Sequence, residues 1–497
     1  MVAALSVASD LTRGHPAGEA MRACLLATEL ARRAGLPTSS QCDVFYGSLM
    51  RFAGCAATSH EAAGTLGGND IAVRSQGDLI DAARPLEAMK FLAGLGSGVE
   101  KLRVLARAPR VTGIVQESAR ADCEVGAALT QRLRLPQAVR RAVLCAFERF
   151  DGKGAPSGLA GDGVSEAARF AAVGFTAVMF DAVGGAGLAV PTVARWSGHA
   201  LDPSIAALFL ESPAELLALS DPDDVWAAVV NAEPEPRRMF RSGADLDEAL
   251  AGFGDAADLK SPFFQGHSRG VATLARVAAG AVGVDSALIY RAGLLHDLGR
   301  VAVPTGVWER PGRLRPDEWE LVRLHPYHSG RILSRSPVLA PLGAIVSRHH
   351  ERLDGSGYPA GVRGTDLDAS ATLLAAADVW HALGEPRPHR AALPPDQASR
   401  VIAGLPLDRD AIRAVLQAAD APRAALPPLP VELTERELEV LRRLAGGRTK
   451  RQVAQDLFIS HSTVHTHTVH IYAKCGVSTR AGLAMFAMRH GLAANGG

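Results

Sequence analysis

Between residues 267 and 378 the chain sets out five histidines and two aspartates able to ligate a metal: His267, His296-Asp297, His325, His349-His350 and Asp378. Neutral imidazoles and carboxylates in one set suit a first-row transition metal, iron or manganese foremost, with zinc as a further choice. A lone histidine on an apolar helix is more often a satisfied core residue, and no single pair here is diagnostic. Seven such groups on four or five predicted helices are a stronger signal. His296-Asp297 follows the apolar run AGLL and precedes Gly299, which marks a helix end. Asp378 interrupts ATLLAAADVW, an otherwise buried helix. A buried carboxylate is costly unless it is partnered, and a metal is one such partner.

The elements that must carry these residues recur. HERLDGSGYPAGV (350–362) has an earlier counterpart in FERFDGKGAPSGL (147–159), with the frame E-R-x-D-G-x-G-x-P in both. LLHDLGR (294–300) pairs with LMRFAGC (49–55), and LDRDAIRAV (407–415) with LDPSIAALF (201–209). GHSRGVATLARVAAGAVGV (266–284) resembles GHPAGEAMRACLLATELARRAGL (14–36), which has one extra helical turn. Four blocks in one order indicate a duplicated all-helical unit. Apolar spacing agrees: Leu274, Val277, Ala278 and Val282 follow one helix face, as do Leu25, Leu26, Leu30 and Ala31. The first copy has Arg51-Phe52, Ala146-Phe147 and Phe175 at the ligand positions, with His15 as the one survivor. It is expected to be a fold without the metal, either a platform or a regulatory half. The boundaries read as 1–210 for that copy, 211–259 for a connector, 260–420 for the second copy, 421–430 for a Pro-rich linker and 431–497 for a final compact segment.

Composition narrows the classes. A chain of 497 residues predicts several domains. Its formal net charge of +1 gives no whole-chain field for nucleic acid or membrane. Six cysteines are scattered without a C-x-x-C pair, as expected of reduced thiols in the cytosol. The N-terminus lacks the basic start and long apolar core of a signal peptide. The apolar stretch 170–190 contains Asp181 and Gly184-Gly185, so a buried core helix is expected there rather than a membrane span.

Residues 260–420 resemble the HD-GYP family of metal-dependent phosphohydrolases. GHS (266–268), LLHDLGR (294–300), LHPYHSGRIL (324–333), HHERLDGSGYP (349–359), AADVW (376–380) and RPHR (387–390) carry the resemblance. It implies an all-helical fold and hydrolysis of cyclic di-GMP or a related nucleotide by hydroxide activated at a dinuclear metal centre. The implied ligands are His267, His296, His325, His349 and His350, with Asp297 bridging and Asp378 completing the set. Arg300 and Arg352 would meet substrate phosphates. Gly355 and Gly357 would let backbone approach the substrate, with Tyr358-Pro359 directing the loop. Three positions depart from the family: Arg300 replaces a lysine, His381 a second aspartate, and Phe263 the glutamate of trinuclear members. Two divalent metals are therefore expected rather than three.

Residues 431–497 hold nine Lys/Arg against five Asp/Glu. Thr434-x-x-Glu437 and Thr449-x-x-Gln452 have capping-box spacing, and Ser460 and Ser478 are N-cap candidates for two more helices. With STVHTH (462–467) and IYAKCGVSTRAGLAMFA (471–487), the segment is similar to the LuxR-type DNA-binding domain. The resemblance places the helix after Ser460 in the major groove, with His465, Thr466 and Val469 facing bases. It implies that Lys450, Arg451, Thr463, His467 and Lys474 would mainly hold phosphates or the fold.

The expected protein is all-α: duplicated helical HD-type domains, then a four-helix LuxR-type helix-turn-helix domain. The resemblances imply a bacterial, cytoplasmic transcriptional regulator whose phosphodiesterase domain is coupled to promoter DNA. A homodimer is expected, and no membrane partner. The alternative is a regulator that senses the nucleotide without hydrolysing it.

Overall fold

The computed structural model describes residues 1–66, 68–95, 98–235, 242–422 and 428–493. Among the described residues the chain is helical, with no strand and only isolated bridges such as Asp151 with Ala160. Part of the Pro-rich linker expected at 421–430 lies outside the described residues, because 423–427 are not among them. Two compact units divide the chain. The first comprises 1–57 and 61–246, the second 58–60 and 247–497. The division falls inside the stretch 211–259 that the sequence sets apart as a connector. The physical reason is burial: Leu216 and Leu217 belong to the core of the first unit, and the end of helix Gly243–Asp258 supplies buried acids to the second.

In the first unit, helices Glu19–Arg33, Thr38–Met50 and Glu166–Gly184 pack on one another. Leu26, Leu30, Val44, Val173 and Phe180 are among the side chains that make the core. Helix Glu166–Gly184 is apolar and long enough to cross a membrane, and 67% of its apolar window is buried within the unit. It ends at Gly184, where Gly185 takes φ 65.

In the second unit, helix His267–Ala278 packs against Ser286–Leu295, Ala369–Leu383 and Arg409–Asp420, while His325–Ser334 packs against Ala340–Val346. Two local devices fix the start of the first of these helices. Gly266 takes φ 82, a left-handed turn that a side chain would strain. Asp258 then accepts hydrogen bonds from the Ser268 amide at 2.9 Å and its hydroxyl at 2.8 Å. The first unit has the same arrangement: Gly18 takes φ 103, and Asp10 accepts from the amides of Gly18 and Ala20 at 2.8 and 3.1 Å. By this geometry Glu19, and not His15, occupies the place of His267. The extra turn read from the sequence therefore precedes the helix instead of lengthening it.

The loop after each helix pair is also alike. The Glu351 carboxylate accepts from the amides of Ala360 and Val362 at 2.8 and 3.0 Å. Glu148 accepts from Ser157 and Leu159 at 2.7 and 3.0 Å. Both loops contain a cis proline, Pro359 and Pro156. Gly355 takes φ 78 and Gly152 φ 74. A Cβ on Gly357 would lie 2.4 Å from the Arg352 amide nitrogen, so this glycine is required by loop closure.

The C-terminal segment forms helices Glu435–Ala445, Lys450–Asp456, His461–Cys475 and Arg480–Arg489. Both capping boxes are present, and Ser460 caps the third helix. The fourth is capped by Thr479, whose hydroxyl accepts from the Gly482 amide at 3.0 Å, one residue later than the expected Ser478.

Candidate metal centre and nucleic-acid interface

Helix ends bring the metal-type residues of the second unit together. His267 opens one helix; His296 and Asp297 close another; His325 opens a third. His349-His350 follow helix Ala340–Val346, and Asp378 projects from the middle of helix Ala369–Leu383. All are buried except His350, which is half-buried.

The imidazoles are oriented from behind. His296, His325 and His349 each donate Nδ1–H to the carbonyl three residues earlier, Gly293 at 2.8 Å, Val322 at 2.6 Å and Val346 at 2.6 Å. His267 Nδ1 meets Glu385 Oε2 at 2.9 Å. These bonds orient the rings and turn four Nε2 atoms inward. Asp297 lies between them. Its Oδ2 is 2.8 Å from His296 Nε2 and 3.4 Å from His267 Nε2; its Oδ1 is 3.2 Å from His325 Nε2 and 3.6 Å from His349 Nε2. Asp378 Oδ1 lies 3.1 Å from His267 Nε2, and Asp378 Oδ2 lies 3.7 Å from His350 Nδ1. Two ligand sets share Asp297, namely Asp297/His325/His349/His350 and His267/His296/Asp297/Asp378, and a third group, His267/His381/Glu385, shares His267.

The donor atoms fit a metal on physical grounds. His296 Nε2 and both Asp297 oxygens are buried without an aligned hydrogen-bond partner. His325 and His349 bring their Nε2 atoms to 3.3 Å although each Nδ1 is committed as donor. Facing lone pairs and orphaned carboxylate oxygens ask for a cation. Burial pushes His325 down to about 4, against the pull of Asp297, so it stays a neutral ligand. Burial likewise depresses His350, and His349 adds to it. Burial would raise Asp297, but Arg300 and His296 hold it well below the usual carboxylate range. Burial would lower His296, yet Asp297 lifts it to about 9, so in the metal-free chain protons stand where metals would compete.

Arg300 reaches Asp297 Oδ2 with Nη2 at 2.5 Å and lies over the rings of Phe264 and Trp308, 4.3 and 5.7 Å from their centroids. Its Nε and Nη1 are buried without an aligned partner. Arg352 is half-buried and donates to the Glu351 carbonyl at 2.9 Å. The Tyr358 ring lies against His350 at 4.8 Å between centroids. Gly355 and Gly357 shape the loop against Arg363 and the Glu351–Arg352 backbone. Glu385 has no counterpart in the sequence-based expectations. It grips His267, accepts from Arg387 at 2.7 Å, and has His381 Nδ1 at 3.2 Å. A Cβ on Gly270 would overlap the His381 ring. The signal for Glu385 is its place one turn after His381, visible only once His267 is known to face that helix.

In the C-terminal segment Val464, Thr468 and Ile471 are buried, while His465, Thr466 and Val469 are exposed on the third helix. Arg451, Thr463 and Lys474 are exposed as well, and His467 and Lys450 half-buried. Lys450 Nζ donates to His465 Nδ1 at 3.2 Å, which joins the second and third helices on one face. Lys474 is held by Glu437 at 2.7 Å, so its ammonium braces the fold.

Residues 253–405 match the HD domain family, and residues 431–487 match the bacterial regulatory proteins of the luxR family. The chain thus carries an HD domain followed by a LuxR-type regulatory domain. Among curated proteins it is 26% identical over 412 residues to 3'3'-cGAMP-specific phosphodiesterase 3 of Vibrio cholerae, covering 81% of this chain and 89% of that protein. It is 39% identical over 113 residues to a cyclic di-GMP phosphodiesterase of Thermotoga maritima, 22% of this chain and 31% of that protein. A crystal structure of a Vibrio cholerae cyclic GMP-AMP-specific phosphodiesterase shares the fold, with a TM-score of 0.58 and 22% identity over 85% of this chain and 97% of that one.

Proposed function

We propose that the second unit is a metal-dependent phosphodiesterase acting on a cyclic dinucleotide, and that its state is read out through the LuxR-type segment on promoter DNA. The observation that carries this reading is the position of Asp297. Each of its oxygens faces a separate set of inward-turned imidazoles. A pair of divalent ions, iron or manganese foremost, bound there would activate water near neutral pH and polarise a phosphoryl oxygen. The residues of the chain do the rest. His267, His296, Asp297, His325, His349, His350 and Asp378 would hold the ions. Arg300 places a guanidinium beside the Asp297 carboxylate, a positive charge next to where a phosphate would lie. Tyr358 lies against His350, and Arg352 stands at the start of the same loop.

The relatives support the choice of substrate class. The cyclic di-GMP enzyme aligns with about a fifth of this chain, whereas the 3'3'-cGAMP-specific one aligns over 81% of it, a length that must run well into the first unit. We therefore place 3'3'-cGAMP beside cyclic di-GMP as the substrate to test first. The first unit acts as a metal-free copy of the fold, and the protein works in the cytoplasm as a homodimer. One observation favours a second reading, a sensor without turnover: Arg300 sits on Asp297 Oδ2 itself, where it competes with a metal for the same oxygen. Incubation of iron- or manganese-loaded protein with each dinucleotide, beside a His296→Ala/Asp297→Ala control, separates the two. Linear product released only by the wild type supports hydrolysis; nucleotide bound without product supports the sensor. Promoter affinity measured with and without the dinucleotide tests the coupling, and equal affinities refute it.

A further inference from the structure

Trp319 has no part in the metal centre or in the core of its unit. It sits on helix Pro316–Arg323 with 42% of its surface exposed. Its helix reads PDEWELVR: Asp317, Glu320 and Arg323 are charged, Val322 turns into the core, and Leu321 is partly exposed beside it. Its ring meets the Tyr358 ring edge to face, 5.6 Å between centroids at 74°. Tyr358 in turn lies against His350, 4.8 Å away at 32°. The three rings form a continuous path from the metal-type cluster to solvent, and the indole is its outer end. A large exposed aromatic one ring outside a phosphate-handling centre offers a flat apolar face to any heterocycle attached to that phosphate.

We propose that Trp319 is the stacking platform for a purine base of the nucleotide whose phosphate lies at the Asp297 centre. The inference rests on the reading of that centre as a nucleotide site. Tyr358 sets the distance between platform and metals, so the phosphate and the base are gripped at two separate points. A base held this way contributes equally before and during reaction, so the stack acts on substrate affinity and leaves the chemical step alone.

The test is Trp319→Ala in the full-length, metal-loaded protein, beside Trp319→Phe. The exposed position keeps the fold intact, which the melting temperature and bound-metal content check directly. The expected result is a rise in KM for the cyclic dinucleotide of about tenfold, the loss of one base–aromatic stack. In that result kcat and metal content stay unchanged, and Trp319→Phe stays near wild type. An unchanged KM in Trp319→Ala, or a loss confined to kcat, overturns the proposal. If the wild type releases no linear product, calorimetric titration with the dinucleotide decides. Binding about tenfold weaker in Trp319→Ala keeps the platform and removes only the hydrolase; equal binding removes the platform too.

Discussion

The two units share a helix start, a loop and a proline turn, yet their centres have opposite chemistry. Asp297, His350 and Asp378 of the second unit stand where the first has Phe52, Phe147 and Phe175. Those three rings pack together, with Phe52 5.7 Å from Phe147 and 4.9 Å from Phe175. Arg51 replaces His296 and Ala146 replaces His349. Glycine close-packing extends the correspondence: Gly299 lies against the backbone of His325 and Ser329, and Gly54 against that of Asp122 and Gly126, so Asp122 occupies the place of His325. Two carboxylates thus remain in the first centre, Glu19 and Asp122, and each has an arginine. Arg13 reaches Asp78 at 2.8 Å and Glu19 at 3.4 Å, and Arg74 reaches Asp122 at 3.0 Å. Arg13 also lies 3.6 Å above the Phe52 ring. One fold neutralises its buried acids with guanidinium groups and phenyl packing. The other sets one guanidinium, Arg300, beside Asp297 and leaves His296 Nε2 and the Asp297 oxygens without an aligned hydrogen-bond partner.

The contrast is sharpest on metal removal. Chelation should loosen the second unit and leave the first untouched. Hydrogen exchange should speed up in helices His267–Ala278 and Ala369–Leu383, and stay constant in Glu19–Arg33 and Glu166–Gly184. Because ligand-set binding is also folding energy, we expect a loss of several kcal/mol, on the order of what metal sites contribute to small domains. Equal acceleration in both units would break the comparison.

Phe52→Asp puts the second unit's carboxylate into the first unit's phenyl cluster. With Arg51 and not histidine beside it, the acid gains no metal site. We expect destabilisation of about 3 kcal/mol from lost aromatic packing, the new carboxylate being met by Arg13, with no added metal in the protein. Denaturant melts and metal analysis read the two effects; a gain of bound metal would contradict the account.

Glu385→Gln tests the support behind His267. It removes the carboxylate that orients Nδ1–H and should weaken metal affinity by about 10- to 100-fold with little change in the melting temperature of the first unit. Metal competition titration measures it, and an unchanged affinity would show that the Gly266 turn alone positions the ring.

The smallest effect concerns pH. Burial would lower His15, but bonds to Asp78 at 3.0 Å and Glu19 at 2.9 Å raise it from 6.5 to about 9. Its stabilisation is complete below 6.5 and drains as pH rises through about 9. Burial opposes ionisation of Asp78, yet Arg13 and His15 hold it at about 2, so it remains charged across that window. The first unit should lose about 1 to 2 kcal/mol between these limits, and His15→Gln should flatten the profile. An identical pH slope in the variant would remove His15 from the network.

Much of this was legible in the residues. The histidines and aspartates singled out in the sequence do cluster in the second unit, and Phe52, Phe147 and Phe175 of the first pack on one another. Cap residues Thr434, Thr449 and Ser460 drew the C-terminal helices. Matching letters misled where conformation decides: Gly14-His15 spells the same pair as Gly266-His267, but the left-handed turn and the Asp10 hydrogen bonds belong to Gly18-Glu19. Glu385 and Glu351 were invisible for another reason. A glutamate in a loop reads as solvated until the folded chain closes His267 or a ring of amides around it. Trp319 became informative only when its ring was seen beside Tyr358.

Anomalous diffraction from crystals of the full-length protein grown with manganese tests the central claim most directly. The account predicts peaks on either side of the Asp297 carboxylate, within reach of His267/His296 and of His325/His349, and none among Phe52, Phe147 and Phe175. A peak beside Glu19 or Asp122, or an empty Asp297 centre at saturating metal, would contradict it.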